Sequence, residues 1–395
     1  MRWTGAVVLV AAVGLLASCG GAHAPTTTSV PLPPTTVPPP PPASATLPWP
    51  TYGADNARSR AVSAQGIRPP FRRLWTFHGR ALLEFPPVVG YGSVFEEAFD
   101  GRLYALDPAT GAVRWRYYAH RCGWASPALA DGILFASFIA HPSCHSTFRN
   151  GELVAFSPST GRIRWRQRIG PSESSPLAVD GVVYAADQNG YVYAFADRTG
   201  RLLWRVDTGA AIKASPTLAG GRIFIGNYAG TMFALDARTG RILWRNGGHG
   251  NIYSTATVSA GRVFVGSLDD RVYAFSARTG ETLWSVGTGG YVYASPAVWR
   301  GVVLVGSYDG SFYALQADSG TVRWRYPAGA SISGAASAID GVVYFSTFSH
   351  RTYALTAGRG RVVQEWPDGE YSPAVAGYGR LYFVGLGKLY ALVPR

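Results

Sequence analysis

The chain alternates short apolar runs with polar turns, and from residue 71 onward this alternation recurs with a period close to forty residues. Each repeat contains four short apolar runs bounded by glycine-containing pairs. In one copy the runs are SPTLA, RIFIG, TMFAL and RILWR, separated by Gly220-Gly221, Ala229-Gly230 and Thr239-Gly240. Glycine and asparagine accept the backbone angles of tight hairpins, so the pattern predicts antiparallel β-strands. Glycine or proline interrupts almost every stretch that a long helix would need.

A tryptophan marks the fourth run of the repeat and follows a Thr-Gly or Ser-Gly turn by four residues in most copies. Four strands per forty residues is the period of a β-propeller blade. In the last copy Gln364 takes the place of the tryptophan, and Trp366 follows two residues later. The seven tryptophans of the repeat are Trp75, Trp115, Trp165, Trp204, Trp244, Trp284 and Trp324.

The two ends of the repeat array complement each other. The array begins with a lone tryptophan run at residues 71–77 and ends with a unit of only three runs. Together they supply the four strands of one more blade, as expected for a closed ring rather than an open solenoid. The sequence therefore predicts an all-β, eight-bladed propeller of four-stranded antiparallel blades over residues 71–395, the last blade closed by both termini. Seven blades with one stray copy is the alternative.

The N-terminal region is predicted to be an export signal and a tether. Residues 6–17 form a twelve-residue apolar run, shorter than the roughly 20 residues that span a bilayer, so residues 1–18 are predicted to be a signal peptide. The run ends at Leu16-Ala17-Ser18-Cys19, which resembles a bacterial lipobox and implies that Cys19 is lipidated and held in membrane lipid. An ordinary secretory signal is the alternative. Residues 19–50 are predicted to form a Pro/Thr-rich stalk, and residues 51–70 a lead-in segment.

The chain carries a formal net charge of +13, and its only lysines are Lys213 and Lys388. An excess of arginine can favour nucleic acid. Here the arginines flank the tryptophans of the outermost runs and form no continuous patch, so no nucleic-acid partner is predicted. Charges on exposed edge strands prevent sheets from pairing between molecules. A basic rim that faces an anionic envelope is the alternative.

One position of the repeat varies strongly, two residues before the start of each innermost strand. Variation at a single position of a monotonous repeat is typical of a grafted ligand site, and weakly constrained loops are the alternative. Glu84 and Glu370 fall in neighbouring blades once the ring closes, and their carboxylates predict binding of a calcium ion or of a basic ligand group, or simple pairing with Arg80 or Arg351. The eight residues form a candidate ligand face: Glu84, Trp124, Glu173, Lys213, Tyr253, Tyr293, Ser333 and Glu370.

Two cysteines remain after Cys19. Cys122 and Cys144 lie in loops of the second blade that are expected to meet, and ten extra residues surround Cys144. Outside the cytoplasm a disulfide between them is the simplest interpretation. A mixed Cys/His zinc site is the alternative, although neither CxxC nor HxxxH spacing is present.

The segments YALDPATGAVRW (104–115) and FALDARTGRILW (233–244) resemble the tryptophan-docking motif of pyrroloquinoline quinone (PQQ)-type repeats. Residues 49–60, WPTYGADNARSR, resemble the lead-in of quinoprotein dehydrogenases. The resemblance implies that the seven tryptophans dock between adjacent blades. The family has a catalytic branch of PQQ- and calcium-dependent dehydrogenases. It also has a non-catalytic branch that includes the lipoprotein of the outer-membrane β-barrel assembly machinery.

Catalytic members of this family typically carry a disulfide between adjacent cysteines, an aspartate base, and glutamate and asparagine ligands for calcium. This chain has no adjacent cysteine pair. Its lipobox, stalk and single propeller resemble the non-catalytic branch. We therefore expect no catalytic, cofactor or metal residues, and an extracytoplasmic, membrane-anchored module that binds or scaffolds an envelope protein. The alternative is a PQQ- and calcium-dependent dehydrogenase of alcohols or sugars.

Overall fold

Eight four-stranded antiparallel blades, one of which gains a fifth, parallel strand at its inner edge, account for nearly all regular structure in residues 48–63, 66–139 and 150–395, the part of the chain that the computed structural model describes. The predicted signal peptide, lipidation site and most of the stalk lie outside these residues. Within the described ranges, no helix has the length and apolarity needed to cross a bilayer. The all-β prediction is confirmed.

The first strands in the chain are two pieces outside the regular blade order, β1 (Ala61–Val62) and β2 (Phe71–His78). Blades 1 to 4 then follow in sequence order, each running from its innermost to its outermost strand. Their strands are β3 (Val88–Gly90), β4 (Ser93–Glu97), β5 (Arg102–Leu106), β6 (Val113–Tyr118); β7 (Ala128–Ala130), β8 (Ile133–Phe138), β9 (Gly151–Phe156), β10 (Ile163–Ile169); β11 (Leu177–Val179), β12 (Val182–Ala186), β13 (Tyr191–Ala196), β14 (Leu202–Asp207); β15 (Thr217–Ala219), β16 (Arg222–Gly226), β17 (Met232–Asp236) and β18 (Ile242–Asn246).

Blades 5 to 7 repeat the same order, and the last three strands belong to blade 8. Their strands are β19 (Thr257–Ser259), β20 (Arg262–Ser267), β21 (Arg271–Ser276), β22 (Thr282–Gly287); β23 (Ala297–Trp299), β24 (Val302–Gly306), β25 (Ser311–Gln316), β26 (Val322–Pro327); β27 (Ser337–Ile339), β28 (Val342–Thr347), β29 (Arg351–Thr356), β30 (Val362–Trp366); β31 (Val375–Gly377), β32 (Arg380–Gly385) and β33 (Lys388–Pro394).

The first and last strands of the repeat array build blade 8 together, so the predicted closure of the ring is confirmed and the seven-bladed alternative is wrong. Strand β2 is the outermost strand of this blade and pairs antiparallel with β33, with Trp75 opposite Ala391. The innermost strands β3 and β31 of blades 1 and 8 contact each other. The first residue of β2 is fixed from blade 7, because the Phe71 amide donates to Oε1 of Gln364 at 3.0 Å. Gln364, the exception in the tryptophan series, thus has its own bonding role.

The tryptophans of the repeat link each blade to the next one. Each indole N–H donates to a backbone carbonyl in the turn of the following blade, as in Trp204 to Ala237 at 3.0 Å and Trp244 to Ala277 at 3.1 Å. Trp75 closes the series by donating to Pro108 of blade 1 at 2.9 Å. Hydrogen bonding removes the cost of burying the indole N–H, while the ring packs between sheets. The same contact therefore repeats around the ring.

The two ends of the propeller carry different connections. Blade-to-blade connections pack against hairpins between the second and third strands, as the hydrogen bond from Thr208 to Gly190 at 2.9 Å shows. We name this end the loop face. First-to-second-strand hairpins pack against the Thr-Gly turns at the other end, as in Asp197 to Gly181 at 3.0 Å. We name that end the turn face.

Residues 48–63 line the central channel, and we call them the channel segment. Their carbonyls accept hydrogen bonds from the amides of innermost strands in five different blades. The innermost strand of each blade would otherwise present an unpaired edge to the channel. The five donor and acceptor pairs are Leu129 to Pro50, Leu218 to Asn56, Val258 to Ala57, Val298 to Ser59 and Ala338 to Arg60, at 2.7–2.9 Å.

Two arginines of the channel segment are completely buried. Arg58 donates through Nε to the carbonyl of Pro216 at 3.0 Å and through Nη2 to Ser175 at 3.2 Å. Burial, followed by the charge of Arg60, lowers the pKa of Arg58 to about 9. The Arg60 guanidinium lies 4.7 Å from the ring centre of Tyr52. Carbonyl dipoles and a π-face therefore hold charges that usually require carboxylates.

Candidate functional site

A recess opens at the centre of the loop face, with a volume of about 550 Å³ including its open mouth. Tyr52 of the channel segment contributes to its lining, and its hydroxyl lies 3.5 Å from Oγ of Ser295. Trp124 and Glu370 of the predicted ligand face lie outside the lining. The structure brings the other six residues together around the recess: Glu84, Glu173, Lys213, Tyr253, Tyr293 and Ser333.

On one side of the recess, Glu173 holds an ammonium group of the chain itself. Its Oε1 lies 3.2 Å from Nζ of Lys213 and accepts from Nε2 of Gln188 at 2.6 Å. Its Oε2 accepts from the Tyr253 hydroxyl at 3.3 Å. Burial raises the pKa of Glu173, while the ammonium opposes this increase. The Lys213 ammonium also lies 5.3 Å from the ring centre of Tyr228 and 5.7 Å from that of Tyr253.

On the other side, the Glu84 carboxyl lines the recess and is influenced by the charges of two other carboxylates. Burial, and then the charges of Glu173 and Glu370, raise the pKa of Glu84 to about 7. Glu370 lies 3.4 Å from Nδ1 of His350, and its charge and hydrogen bond add to burial in raising the pKa of Tyr371. Among the described residues, no ion pair or hydrogen bond to the Glu84 carboxylate is found.

The predicted pairing of these carboxylates with Arg80 or Arg351 is wrong. Arg351 lies 3.3 Å from Glu365 on the neighbouring outermost strand, a closer partner along the sheet. Glu370 pairs with His350, at the second-to-third-strand hairpin of blade 7. Cross-strand neighbours hold the arginine away from the recess, so Glu84 keeps an unneutralised position.

An arc of aromatic rings continues from the recess across blades 5 to 8, and we call it the aromatic arc. The rings of Tyr253 and Tyr293 are 5.3 Å apart, and Tyr293 lies 4.9 Å from Tyr308. Phe348 lies 5.5 Å from both Tyr308 and Tyr371. Such centroid spacings are typical of favourable edge-to-face and tilted pairs. The arc supplies a rigid, amphipathic surface.

Sequence reasoning missed part of this site. Tyr308 and Phe348 occupy second-to-third-strand hairpins, which the register of the varying position does not include. Their signal was available, because aromatic residues also occupy this hairpin position in two other blades, at Phe99 and Tyr228. Tyr52 had no such signal, because it belongs to a segment without repeats.

Trp124 lies in the connection between blades 1 and 2, outside the lining of the recess. Its ring packs 5.5 Å from Phe99. Nearby on blade 1, Glu96 and Glu97 stand in the second strand, at positions where most other blades have small or apolar residues. Both carboxyls are buried without a hydrogen-bond partner, and burial raises their pKa values well above the ordinary range. Burial therefore favours the protonated, neutral form of both groups.

The predicted cysteine chemistry falls largely outside the described residues. Cys122 is buried beneath the loop face. Cys144 and Cys19 lie outside the described part of the chain, so the disulfide and the lipid anchor stay predictions. The mixed zinc site also stays open as an alternative to the disulfide.

The recess does not match the donors that the resemblance implies for PQQ and calcium. The chain has no adjacent cysteines to form the disulfide of the catalytic branch. Both oxygens of Glu173 are already engaged by Lys213, Gln188 and Tyr253. Within the described ranges, no group of three or more His, Cys, Asp or Glu side chains is placed to hold a metal ion. The residues around the recess therefore do not fit PQQ and calcium.

The repeat, the docking indoles and the closed ring define the class of the protein as a PQQ-repeat β-propeller. The chain belongs to the family described as outer membrane protein assembly factor BamB, whose sequence profile matches residues 99–190 and 188–395. The predicted family resemblance is confirmed. No curated protein matches the sequence.

Solved structures from both branches share the fold. BamB from Moraxella catarrhalis is 16% identical with a TM-score of 0.70, over 82% of this chain and 99% of that one. Quinohemoprotein alcohol dehydrogenase from Comamonas testosteroni is 15% identical with a TM-score of 0.73, over 89% and 81%. A europium-containing methanol dehydrogenase is 12% identical with a TM-score of 0.72, over 89% and 99%. At these identities the likeness concerns the fold alone.

Proposed function

We propose that the protein is a lipid-anchored, extracytoplasmic binding module of the cell envelope whose loop face receives a protein partner. Family membership supports this role, since the family is described as an outer membrane protein assembly factor. The lipobox-like sequence at Cys19 supports attachment to membrane lipid. The proposed role is non-catalytic and requires neither a cofactor nor a metal.

The observation that carries the proposal is the aromatic arc beside an open recess. Tyr291 extends the arc to the surface, where it is 50% exposed, and its ring lies 6.3 Å from those of Tyr293 and Tyr308. Tyrosine is enriched in protein interfaces because it provides a large contact area with few rotatable bonds. Packing within the arc fixes these rings before a partner arrives, which reduces the entropy lost on binding.

Site-specific photocrosslinking in living cells tests the proposal. Benzoylphenylalanine replaces either Tyr291 on the loop face or Leu283 on the outermost strand β22, which is 44% exposed. The two positions have similar accessibility, so Leu283 is a matched control. We expect a discrete crosslinked protein at Tyr291 only. Crosslinks of equal yield at both positions, or none at Tyr291, would overturn the proposed partner surface.

A dehydrogenase makes a different prediction for the same protein. Addition of PQQ and calcium would produce a quinone absorption band and dye reduction by alcohols or sugars, and both signals would be lost in Glu84→Ala. We expect neither signal, because the donors around the recess do not fit. A stoichiometric quinone band with turnover would replace the binding-module proposal with the enzyme.

A further inference from the structure

The recess already binds one ammonium group, that of Lys213. The chain holds this group with three components, namely the Glu173 carboxylate at 3.2 Å and the rings of Tyr228 and Tyr253. Carboxylate and π-faces together favour a cation more than either does alone. This arrangement shows which chemistry the walls of the recess recognise.

The opposite wall has the same components, but among the described residues its Glu84 carboxylate has no ion-pair partner, whereas Glu370 pairs with His350. Glu84 and Tyr371 line it, and Glu370 stands next to Tyr371. The neighbouring carboxylates repel each other, and this repulsion adds to burial in favouring the protonated form of Glu84. A ligand cation would remove that repulsion, whereas a ligand anion would increase it. The wall is therefore complementary to positive charge, on a protein whose overall charge is +13.

We propose that the recess binds a primary ammonium group, as carried by a lysine side chain of a partner protein, between the Glu84 carboxylate and the ring of Tyr371. This inference rests on the proposed binding function and adds the chemistry of the residue that the partner inserts. An organic cation fits better than a metal ion, because the described residues offer aromatic faces and no cluster of three metal-ligating side chains.

Isothermal titration of the full-length protein with Nα-acetyl-lysine methylamide tests this directly. We expect saturable binding at pH 8 and none of the Nε-acetylated analogue, which has the same shape near the backbone but no charge. Glu84→Gln should weaken binding about tenfold, the loss expected for one charge-assisted hydrogen bond. Glu281→Gln is the matched control, since it removes an exposed carboxylate on the turn face.

The pH dependence provides a second measurement that does not depend on a variant. A carboxyl whose pKa is about 7 is mostly protonated at pH 6 and mostly ionised at pH 8. If the cation binds the ionised form, binding should be about tenfold weaker at pH 6. The groups that interact electrostatically with Glu84 are Glu173, Glu370, Tyr253, Tyr308 and Tyr371. The cationic groups next to them are Lys213, which pairs with Glu173, and His350, which lies 3.4 Å from Glu370.

The outcomes separate this inference from the proposed function. Equal binding of the acetylated analogue, an unchanged affinity in Glu84→Gln, or no binding at pH 8 would overturn the ammonium site. If the crosslink at Tyr291 persists in that case, the partner surface stands without the site. If the lysine probe binds as expected but Tyr291 captures no protein, the recess chemistry stands and the protein-partner proposal fails.

Discussion

Alanine at Gly280 should destabilise the propeller more than alanine at Gly261, although both residues lie in blade 5 with nearly the same backbone. Their φ angles are 77° and 73°, in the left-handed region. Alanine in this region costs roughly 1–2 kcal/mol, so both variants pay this cost. The space around the two positions differs. A Cβ at Gly261 meets no atom within 4 Å, whereas at Gly280 it lies 2.5 Å from Cδ2 of Trp244.

The clash at Gly280 sets the size of the difference. A carbon pair at 2.5 Å is about 1 Å inside its optimal separation, so the indole or the turn must shift. Overpacking of this kind costs about 1–3 kcal/mol. The shift also strains the 3.1 Å hydrogen bond that the indole N–H of Trp244 donates to the Ala277 carbonyl. We expect the free energy of unfolding to fall by about 2–5 kcal/mol in Gly280→Ala and by about 1–2 kcal/mol in Gly261→Ala.

Urea unfolding followed by tryptophan fluorescence measures both variants, and a double-mutant cycle identifies the clashing group. Trp244→Phe removes the larger ring, so Gly280→Ala should cost less in that background than in the natural one. Equal destabilisation of the two alanine variants would refute the claim that the turn glycine is required by the indole. A cost of Gly280→Ala unchanged by Trp244→Phe would do the same.

Three further predictions concern buried charge and covalent linkage. The pKa of Glu84 is raised in the folded protein, so its protonation stabilises the fold fully below the ordinary pKa of 4.5, and up to about 3 kcal/mol of this stabilisation is lost as the pH rises towards 7. Glu84→Gln should therefore reduce the pH dependence of the urea midpoint. An unchanged pH dependence would contradict the raised pKa of Glu84. Arg58→Lys should lower the free energy of unfolding by about 2–4 kcal/mol, because a lysine cannot reach all the buried carbonyls that accept from Arg58. The control Arg201→Lys, at an exposed position, should change it by less than about 0.5 kcal/mol. Equal effects of the two substitutions would argue against the carbonyl network. Cys122→Ser should lower the free energy of unfolding by about 3 kcal/mol, because it removes the predicted disulfide. Thiol titration of the denatured, unreduced variant should then detect the thiol of Cys144. Detection of the Cys122 and Cys144 thiols in the unaltered protein would contradict the disulfide.

Much of the fold followed from the sequence because the repeat fixes geometry locally. Each turn contains a glycine at positive φ and a carbonyl that accepts from the indole of the preceding blade, and its own tryptophan follows the glycine by four residues. One short motif therefore carries the turn and the contact between blades, and most copies repeat it. The lone strand around Trp75 predicted closure because a three-strand unit at the other end lacks an outermost strand. The same register placed Glu84 and Glu173 at one end of the ring.

The channel segment was unpredictable for the opposite reason. Its contacts join residues far apart in sequence, such as Arg58 to Pro216 and Ser59 to Val298, and nothing in its composition indicates those partners. Side-chain pairing at the recess was equally hard to derive. Arg351 had two carboxylates within reach along the chain, and the choice of Glu365 depends on rotamers in the folded sheet.

The channel segment connects the stability of the ring to the shape of the recess. Its carbonyls pair with inner strands of separate blades, and its Tyr52 lies under the recess between the Arg60 guanidinium and Ser295. Any change that loosens the inner strands therefore moves an aromatic group in the lining. The reverse also holds, since a ligand that packs on Tyr52 favours the conformation in which the segment is fully paired. Binding at the loop face should therefore stabilise the whole ring, including the blade that the first and last strands of the repeat array complete.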